Sequence, residues 1–308
     1  MTKTPPYGIV THPEPGIRCI LAPNPSSMTY LGTNTYIIGT GDVAVLDPGP
    51  DNPQHLAAIL DALAPAERIS HIILSHDHKD HLELAPRLAK ATGAPIYGYA
   101  SHLATYCPDI SLSDGARLRG STWELEAIHT PGHSDDHLCF AMNDICLTAD
   151  HIMGWASSAI IPPRGRIADY LTSLDKLACR PWRRFLSAHG HPIETPSRRI
   201  ATLRSHRLAR EASIMRQLET CGQTLHDLTD ALYRTLPPGL IRAATANVAA
   251  HLAHLREQGK IQEDNGGIFT PAGTNIIMKS AACPDYDKNI VNLEKNCARP
   301  LDSTENTG

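Results

Sequence analysis

Residues 75–81, SHDHKDH, set three histidines and two aspartates within seven positions, directly after the apolar run Ile72-Ile73-Leu74. His76, His78, Asp80 and His81 form the pattern H-x-H-x-D-H. Imidazole nitrogens and carboxylate oxygens are the donors that a divalent metal of intermediate softness accepts. If the apolar run is a buried strand, the loop leaving it can aim several side chains at one point. Side chains alternate with period two along an extended backbone, so His76 and His78 project to the same side, about 6–7 Å apart. Two such imidazoles can close on one ion about 2.0–2.1 Å from each nitrogen. Asp80 and His81 lie beyond a turn and point elsewhere, which suits a second ion close by. The mixed nitrogen and oxygen set suits zinc; a soft-metal site would need thiolates, and a structural zinc site is closed and cysteine-rich. No motif such as G-x-S-x-G offers a serine nucleophile instead.

The elements that must hold this loop show in the periodicity. From Ile17 to about Ala127 short β-branched runs (TYIIG, VAVLDPGP, HIILSHDH, APIYGY) alternate with turn signals and predict buried strands. Asp51 to Leu63, with Leu56, Leu60 and Leu63 on one face and Asp51 as its cap, predicts a helix; Leu82 to Ala91 predicts another. Strands interleaved with helices make an α/β domain. A second cycle follows in WELEAIHTPGHS, LCFAMNDICLTADH, a helix near Asp169 to Leu177, and RFLSAHGHP. Two halves, each ending in a histidine-bearing loop, form one catalytic domain over residues 1–197. After Pro196 the chain turns charged and helical. A helix capped at Thr224, a third with Leu240, Ala244, Val248, Leu252 and Leu255 three or four apart, and a hairpin around Asn265-Gly266-Gly267 predict a winged helix over residues 198–280. Residues 281–308 lose periodicity and read as a flexible tail.

A chain of 308 residues can bury one substantial core and add a smaller domain. With 42% apolar and 19% charged residues it has a soluble globular composition, and a net charge of -4 gives no global attraction to nucleic acid or anionic membrane. The start, MTKTPPYGIVTHPEPGIRCI, lacks the apolar core of a signal peptide, and no stretch approaches the roughly 18–20 apolar residues of a membrane span. Eight scattered cysteines without a C-x-x-C pair read as reduced thiols, so a cytoplasmic location is expected. Nothing in the sequence specifies an oligomeric state.

H-x-H-x-D-H after an apolar strand resembles the signature of the metallo-β-lactamase superfamily, and further segments follow that family's order. HTPGHSDDH resembles its third-histidine motif, ICLTADHIMG its strand ending in a bridging aspartate, and LSAHGHP its last-histidine loop; NTYIIG and VLDPG resemble its opening strands. The resemblance implies an αββα sandwich with two Zn2+ per chain. His76, His78 and His133 would hold the first, Asp80, His81 and His189 the second, with Asp150 bridging and Asp47 supporting the site from behind. His191 is the alternative to His189, disfavoured because the family places its ligand before the glycine. His129 would be structural, and His137 and His151 would line the pocket or lie behind the ligands. The family's chemistry implies hydrolysis by a metal-bound hydroxide, with Asp80 orienting the water or taking its proton.

Within that superfamily, Asp150 and the missing signal peptide argue against the exported β-lactamases, and the histidine at position 78 argues against the diiron reductases. The 38 residues from 151 to 188 leave no room for the inserted domain of the polyadenylation-related endonucleases, and there is no long arm like that of the tRNA 3′-processing enzymes. A metallo-β-lactamase domain followed by a small winged helix, from about Thr33 to Thr270, resembles the lactamase-β-like endoribonucleases, which implies a single-stranded RNA substrate. Residues 198–279 carry eleven Lys/Arg against seven Asp/Glu, and Asn247, His251 and His254 make a polar stripe, which gives modest support. The alternative is a small-molecule ester or thioester hydrolase resembling glyoxalase II, with Met153, Trp155 and Ile160 lining an apolar pocket. A non-catalytic winged-helix regulator is a third reading, disfavoured by the intact set of seven ligands. The winged helix is expected on the substrate side of the metal site, contributing no ligand.

Overall fold

The computed structural model describes residues 7–235 and 238–273. The expected tail over residues 281–308 lies outside the described residues. A first sheet has seven strands in sequential order: β1 (Val10–Glu14), β2 (Ile17–Leu21), β3 (Asn34–Ile38), β4 (Asp42–Leu46), β5 (Arg68–Ile73), β6 (Ile96–Gly98) and β7 (Ile110–Ser111). Helices α1 (Pro53–Asp61), α2 (Lys79–Leu82) and α3 (Ala85–Thr92) fall between β4 and β6. The second sheet contains β8 (Arg117–Arg119), β9 (Glu124–His129), β10 (Leu138–Met142), β11 (Ile145–Ala149) and β12 (Arg184–Ser187), with α4 (Ile167–Ala178) before the last strand.

Period-two alternation decides which layer each side chain enters. Tyr36, Ile38, Ala44 and Leu46 pack between the sheets against Leu125, Ala127, Leu138, Phe140, Ile145 and Leu147. Their neighbours Ile37, Val43 and Val45 turn outward to Ile59 of α1 and Leu88 of α3. On the far side Ile128, Cys139 and Cys146 meet Tyr170, Leu174 and Leu177 of α4. The result is the expected helix–sheet–sheet–helix sandwich. Each fully buried Ile or Leu contributes about 1.5–3 kcal/mol, so a one-residue slip of any central strand is heavily disfavoured.

Two helix boundaries differ from the sequence expectation. The cap of α1 is Asn52, whose side chain accepts the His55 N–H at 2.9 Å, while Asp51 pairs with Arg87 at 2.6 Å. The helix expected over Leu82 to Ala91 starts three residues later, as α3 with Pro86 in its first turn, and the short α2 ends at Leu82 before it.

Helix α5 (Pro196–Thr220) opens the C-terminal unit, followed by β13 (Gln223–Thr224), α6 (Leu225–Leu232), α7 (Pro238–Glu257), β14 (Ile261–Glu263) and β15 (Ile268–Pro271). Thr224 and Asp227 form a reciprocal capping box on α6. Ile214, Leu218, Leu228, Val248, Leu252, Leu255, Ile261 and Phe269 make this winged helix's core. The first half of α5 belongs elsewhere, since Ile200 and Leu203 pack with α4 under the second sheet. One continuous helix is therefore shared by both units.

Gly132 fixes how closely the loop before His133 approaches α4. Its φ is +137°, and a Cβ there would lie 2.3 Å from the Tyr170 Cα. Gly132→Ala should destabilise the fold by on the order of 2–4 kcal/mol, through backbone strain and collision with main chain that cannot rotate away. Differential scanning calorimetry should show the melting midpoint falling by about 5–10 °C; an unchanged midpoint would contradict the close approach.

Candidate metal centre

Strand direction gathers the candidate ligands at one edge. β9 and β11 both run antiparallel to β10, and β12 is parallel to β11, so the loops after β9, β11 and β12 leave on the same side. In the first sheet β4 and β5 are parallel and deliver Asp47 and the histidine loop together. The Leu138 N–H donates to the Ser75 carbonyl at 2.7 Å and the Asn34 N–H to the Ala188 carbonyl at 2.7 Å, tying the two sheets across this edge. Two residues bend sharply to reach it. Asp47 (φ +50°) and Ala149 (φ +41°) both adopt the left-handed conformation. Such positions cost about 1–3 kcal/mol in a non-glycine residue and are held by the surrounding structure. Ala149 coincides with a register shift between β11 and β12 that turns Asp150 into the site.

There the donors form two groups. In the first, His76 Nε2 and His133 Nε2 lie 2.9 Å and 3.0 Å from His78 Nδ1. In the second, His189 Nε2 is 3.2 Å from Asp80 Oδ2 and 3.3 Å from Asp150 Oδ1, and His81 Nε2 is 3.4 Å from Asp80 Oδ2. Asp150 Oδ2 is 3.7 Å from His81 Nε2 and 3.6 Å from His133 Nε2, so this carboxylate faces both groups. All seven residues named from the sequence are brought together, as His76, His78, His133 and as Asp80, His81, Asp150, His189. His78 is the extended N-cap of α2, and Asp80 and His81 follow inside its single turn, which separates the two pairs as expected.

Hydrogen bonds fix which nitrogen of each ring is bare. Ser75 Oγ donates to Asp47 Oδ2 at 2.7 Å and so accepts the His76 Nδ1–H at 2.9 Å. The His81 Nδ1–H donates to Asp47 Oδ2 at 2.9 Å, the His133 Nδ1–H to the Ala159 carbonyl at 2.6 Å, and the His189 Nδ1–H to the Gly32 carbonyl at 3.1 Å. Each of these rings therefore turns an Nε2 lone pair inward, the tautomer a metal requires. The buried His81 Nε2, His189 Nε2 and Asp150 Oδ1 have no hydrogen-bond partner. Buried orphan acceptors are costly unless a cation satisfies them.

The electrostatics agree. Burial pushes His76 well below the ordinary imidazole range and His133 down to about 4, with neighbouring imidazoles adding to the effect; burial also lowers His78. Burial would raise Asp80 and Asp150, but His81 and His189 hold both carboxyls below their usual range. Burial would lower His189, yet Asp150 and Asp80 raise it to about 9, and Asp80 with Asp47 likewise raises His81. The second group thus draws positive charge to itself, and a divalent ion meets that demand better than a proton. Donor type, convergence and orphaned atoms all fit a metal.

Other histidines stand apart. His191 is exposed, and His129 stacks on Tyr99 at 4.0 Å with Nε2 bonded to the Asp135 carbonyl. His137 and His151 are fully buried behind the ligands. The expected apolar wall is reduced: Ile160 belongs to the core under the second sheet and Met153 is buried, while Trp155 alone of the three is partly exposed. Trp155 stacks on Tyr30, ring centroids 4.9 Å apart, beside Gly190, the residue after His189.

Sequence reasoning missed a clamp. Asp77 sits between His76 and His78, and Asp135 and Asp136 follow His133. Arg164 pairs with all three, at 2.6 Å to Asp135 and 2.8 Å to Asp136. Asp77 also accepts the Thr105 hydroxyl at 2.8 Å, and Asp136 accepts the Asp77 N–H at 3.0 Å. The adjacent acids of HSDDH, with a third between two ligands, were the available signal that a cation must lie close. Arg164→Met should leave these acids repelling one another, at a cost of about 2–4 kcal/mol. Elemental analysis after dialysis should show less retained metal than wild type; full retention together with an unchanged melting temperature would exclude the clamp.

The Metallo-beta-lactamase superfamily description matches residues 28–189, and a beta-lactamase associated winged helix domain matches residues 224–268. The Beta-lactamase-like protein 2 homolog of Drosophila melanogaster is 32% identical over 262 residues, spanning 79% of this chain and 88% of its own length. An atrochrysone carboxyl ACP thioesterase of Cryptosporiopsis sp. is 29% identical over 219 residues, 70% of this chain and 66% of its own. A beta-lactamase domain protein from Burkholderia ambifaria shares the fold, with a TM-score of 0.77 at 18% identity over 87% of this chain and 95% of that one. No helix among the described residues is long and apolar enough to cross a membrane. With sandwich, donor groups and winged helix all accounted for, the chain belongs to the metallo-beta-lactamase superfamily and is a metal-dependent hydrolase.

Proposed function

We propose that the chain is a dinuclear zinc hydrolase of thioesters and related activated esters. His76, His78 and His133 would hold one ion, and Asp80, His81, Asp150 and His189 the other. Two such ions, when bound, supply Lewis acidity and a water acidic enough to react near neutral pH. The chain's own residues do the rest. Asp80 has the more exposed of the two ligand carboxylates, 29% against 10% for Asp150, and is placed to accept a proton from the incoming water. His137 and His151, both neutral through burial, close the rear of the site to solvent.

The observation that carries the substrate class is the Tyr30–Trp155 stack against the His189 loop. Tyr30 and Trp155 therefore put an aromatic face beside the loop that carries His189, and exposed Met28 lies two residues from Tyr30 in the sequence. Such a face suits the acyl part of an ester. The thioesterase named among the relatives supports this reading.

Single-stranded RNA is the second reading, favoured by the winged helix and the exposed Arg242. Its supporting stripe turns inward: Arg207 of α5 donates to Asn247 at 3.1 Å, and Glu211 bonds His254 at 2.6 Å. Arg256 is paired with Glu263. A zinc-loaded sample should hold two ions per chain by elemental analysis, and Asp150→Ala should reduce turnover by at least about a thousandfold. Trp155→Ala should raise the KM for an aryl or long-chain thioester by about 5–30-fold with little salt dependence. RNA cleavage that falls steeply with salt and is weakened by Arg242→Ala, with thioesters left intact, would reverse the assignment.

A further inference from the structure

Helix α5 carries a guanidinium that neither the metal site nor the surface explains. Arg207 is fully buried, and among the described residues no carboxylate forms an ion pair with it. Its lower nitrogens instead reach neutral acceptors on two other segments. Nη2 donates to the Ser158 carbonyl, Nη1 donates to Asn247 Oδ1 of α7 at 3.1 Å, and the guanidinium lies 4.9 Å over the Tyr170 ring of α4. A buried charge held only by dipoles and a ring is costly, so its contacts must be made well.

Those contacts lead to both donor groups. The Ser158 hydroxyl donates to the Asp150 carbonyl at 2.5 Å, and the next residue's carbonyl, Ala159, orients the His133 ring. The Tyr170 hydroxyl donates to the His151 carbonyl at 3.0 Å, bracing the same segment from α4. Arg199, two turns earlier on α5, donates to the Met153 carbonyl at 2.7 Å and the Ala156 carbonyl at 2.6 Å. The loop 150–160 is thus pinned from behind by α5, a helix beyond the last candidate ligand, and Asn247 of the winged helix holds the central arginine.

We propose that Arg207 is a positioning residue through which the winged helix sets the geometry of Asp150 and His133. It touches neither metal nor substrate. It acts through Ser158 and Ala159, and the role holds whether the substrate is a thioester or RNA. Losing it should loosen the loop and weaken metal binding, with the effect transmitted in part from α7.

The test uses the full chain, with zinc affinity by competition against a chromogenic chelator and amide hydrogen exchange over residues 150–160. Arg207→Met should weaken zinc binding by about tenfold or more and speed exchange in that segment, the scale of losing a residue that orients metal ligands. Arg207→Lys, which can reach one acceptor but not both, should fall between. Asn247→Ala should act in the same direction more weakly, and the double variant should be no worse than Arg207→Met alone, because both act on one contact chain. Arg204→Ala, also on α5, which breaks an exposed pair with Asp175 of α4, should change neither readout. If Arg207→Met folds with a lowered melting point but binds zinc as wild type does, the arginine merely fills the core and the proposal fails. If Arg207→Met does not fold, Asn247→Ala decides: unchanged zinc affinity and exchange overturn the proposal.

Discussion

One buried carboxylate organises the rest of the site. Asp47, 2% exposed, accepts the Ser75 N–H at 2.8 Å, the Ser75 hydroxyl at 2.7 Å and the His81 Nδ1–H at 2.9 Å. Through the hydroxyl it also sets the tautomer of His76. A single residue at the end of β4 therefore fixes one ligand of each donor group and the backbone of the loop that carries four. It can do so only because its own backbone takes a left-handed turn, held by the Ile73 carbonyl on its N–H and the Thr35 hydroxyl on its carbonyl. The parallel pairing of β4 with β5 is what makes this reach short.

Charge balance is the second constraint. Asp80 and Asp150 face two raised histidines at the metal positions, while Asp77 lies on the loop that carries Asp80, and Asp135 and Asp136 lie on the loop that carries His133. Left alone, five carboxylates on three neighbouring loops would repel and open the edge. Arg164 neutralises the outer three, so the cation demand of the inner two stays directed at the ligands. Outer clamp and inner centre are then separate electrostatic problems, solved by an arginine and by a metal.

Much of this was legible in the chain because the chemistry is local. Four ligands lie within six residues, and the remaining three close strands whose β-branched or alternating patterns are plain. The capping box at Thr224 and the hairpin at Asn265–Gly267 follow from short-range rules of the same kind. What escaped notice depends on pairs far apart in sequence. Arg164 meets Asp77 across 87 positions, and Arg207 meets Ser158 across 49. The stripe of Asn247, His251 and His254 has the polarity of a surface, yet it faces Glu211 and Arg207, with both histidines buried and Asn247 half-buried. Polarity reports what a face can bond to, and only the packing of α7 on α5 shows that its partners are internal. Ile160 misleads in the opposite direction: an apolar residue near a site is as easily part of the core as of a pocket.

The shared helix α5 bears on how the two units relate. Its first half packs Ile200 and Leu203 with α4 under the second sheet, and its second half packs Ile214 and Leu218 into the winged helix. Ala250 of α7 also enters the sandwich-side cluster, and Arg166, just before α4, pairs with Glu257 at the end of α7 at 2.9 Å. A hinge would need a break in α5 or a loss of this packing, and the helix runs unbroken over 25 residues. The winged helix is therefore seated on the layer behind the metal-binding edge. From that position none of its described residues joins the donor groups, yet the backbone segment carrying Asp150 is supported on its underside by residues of α5 and α7. A change in how α7 packs is transmitted to the metal edge through that segment, because Arg207 links Asn247 of α7 to the Ser158 carbonyl, and Ser158 in turn holds the Asp150 carbonyl.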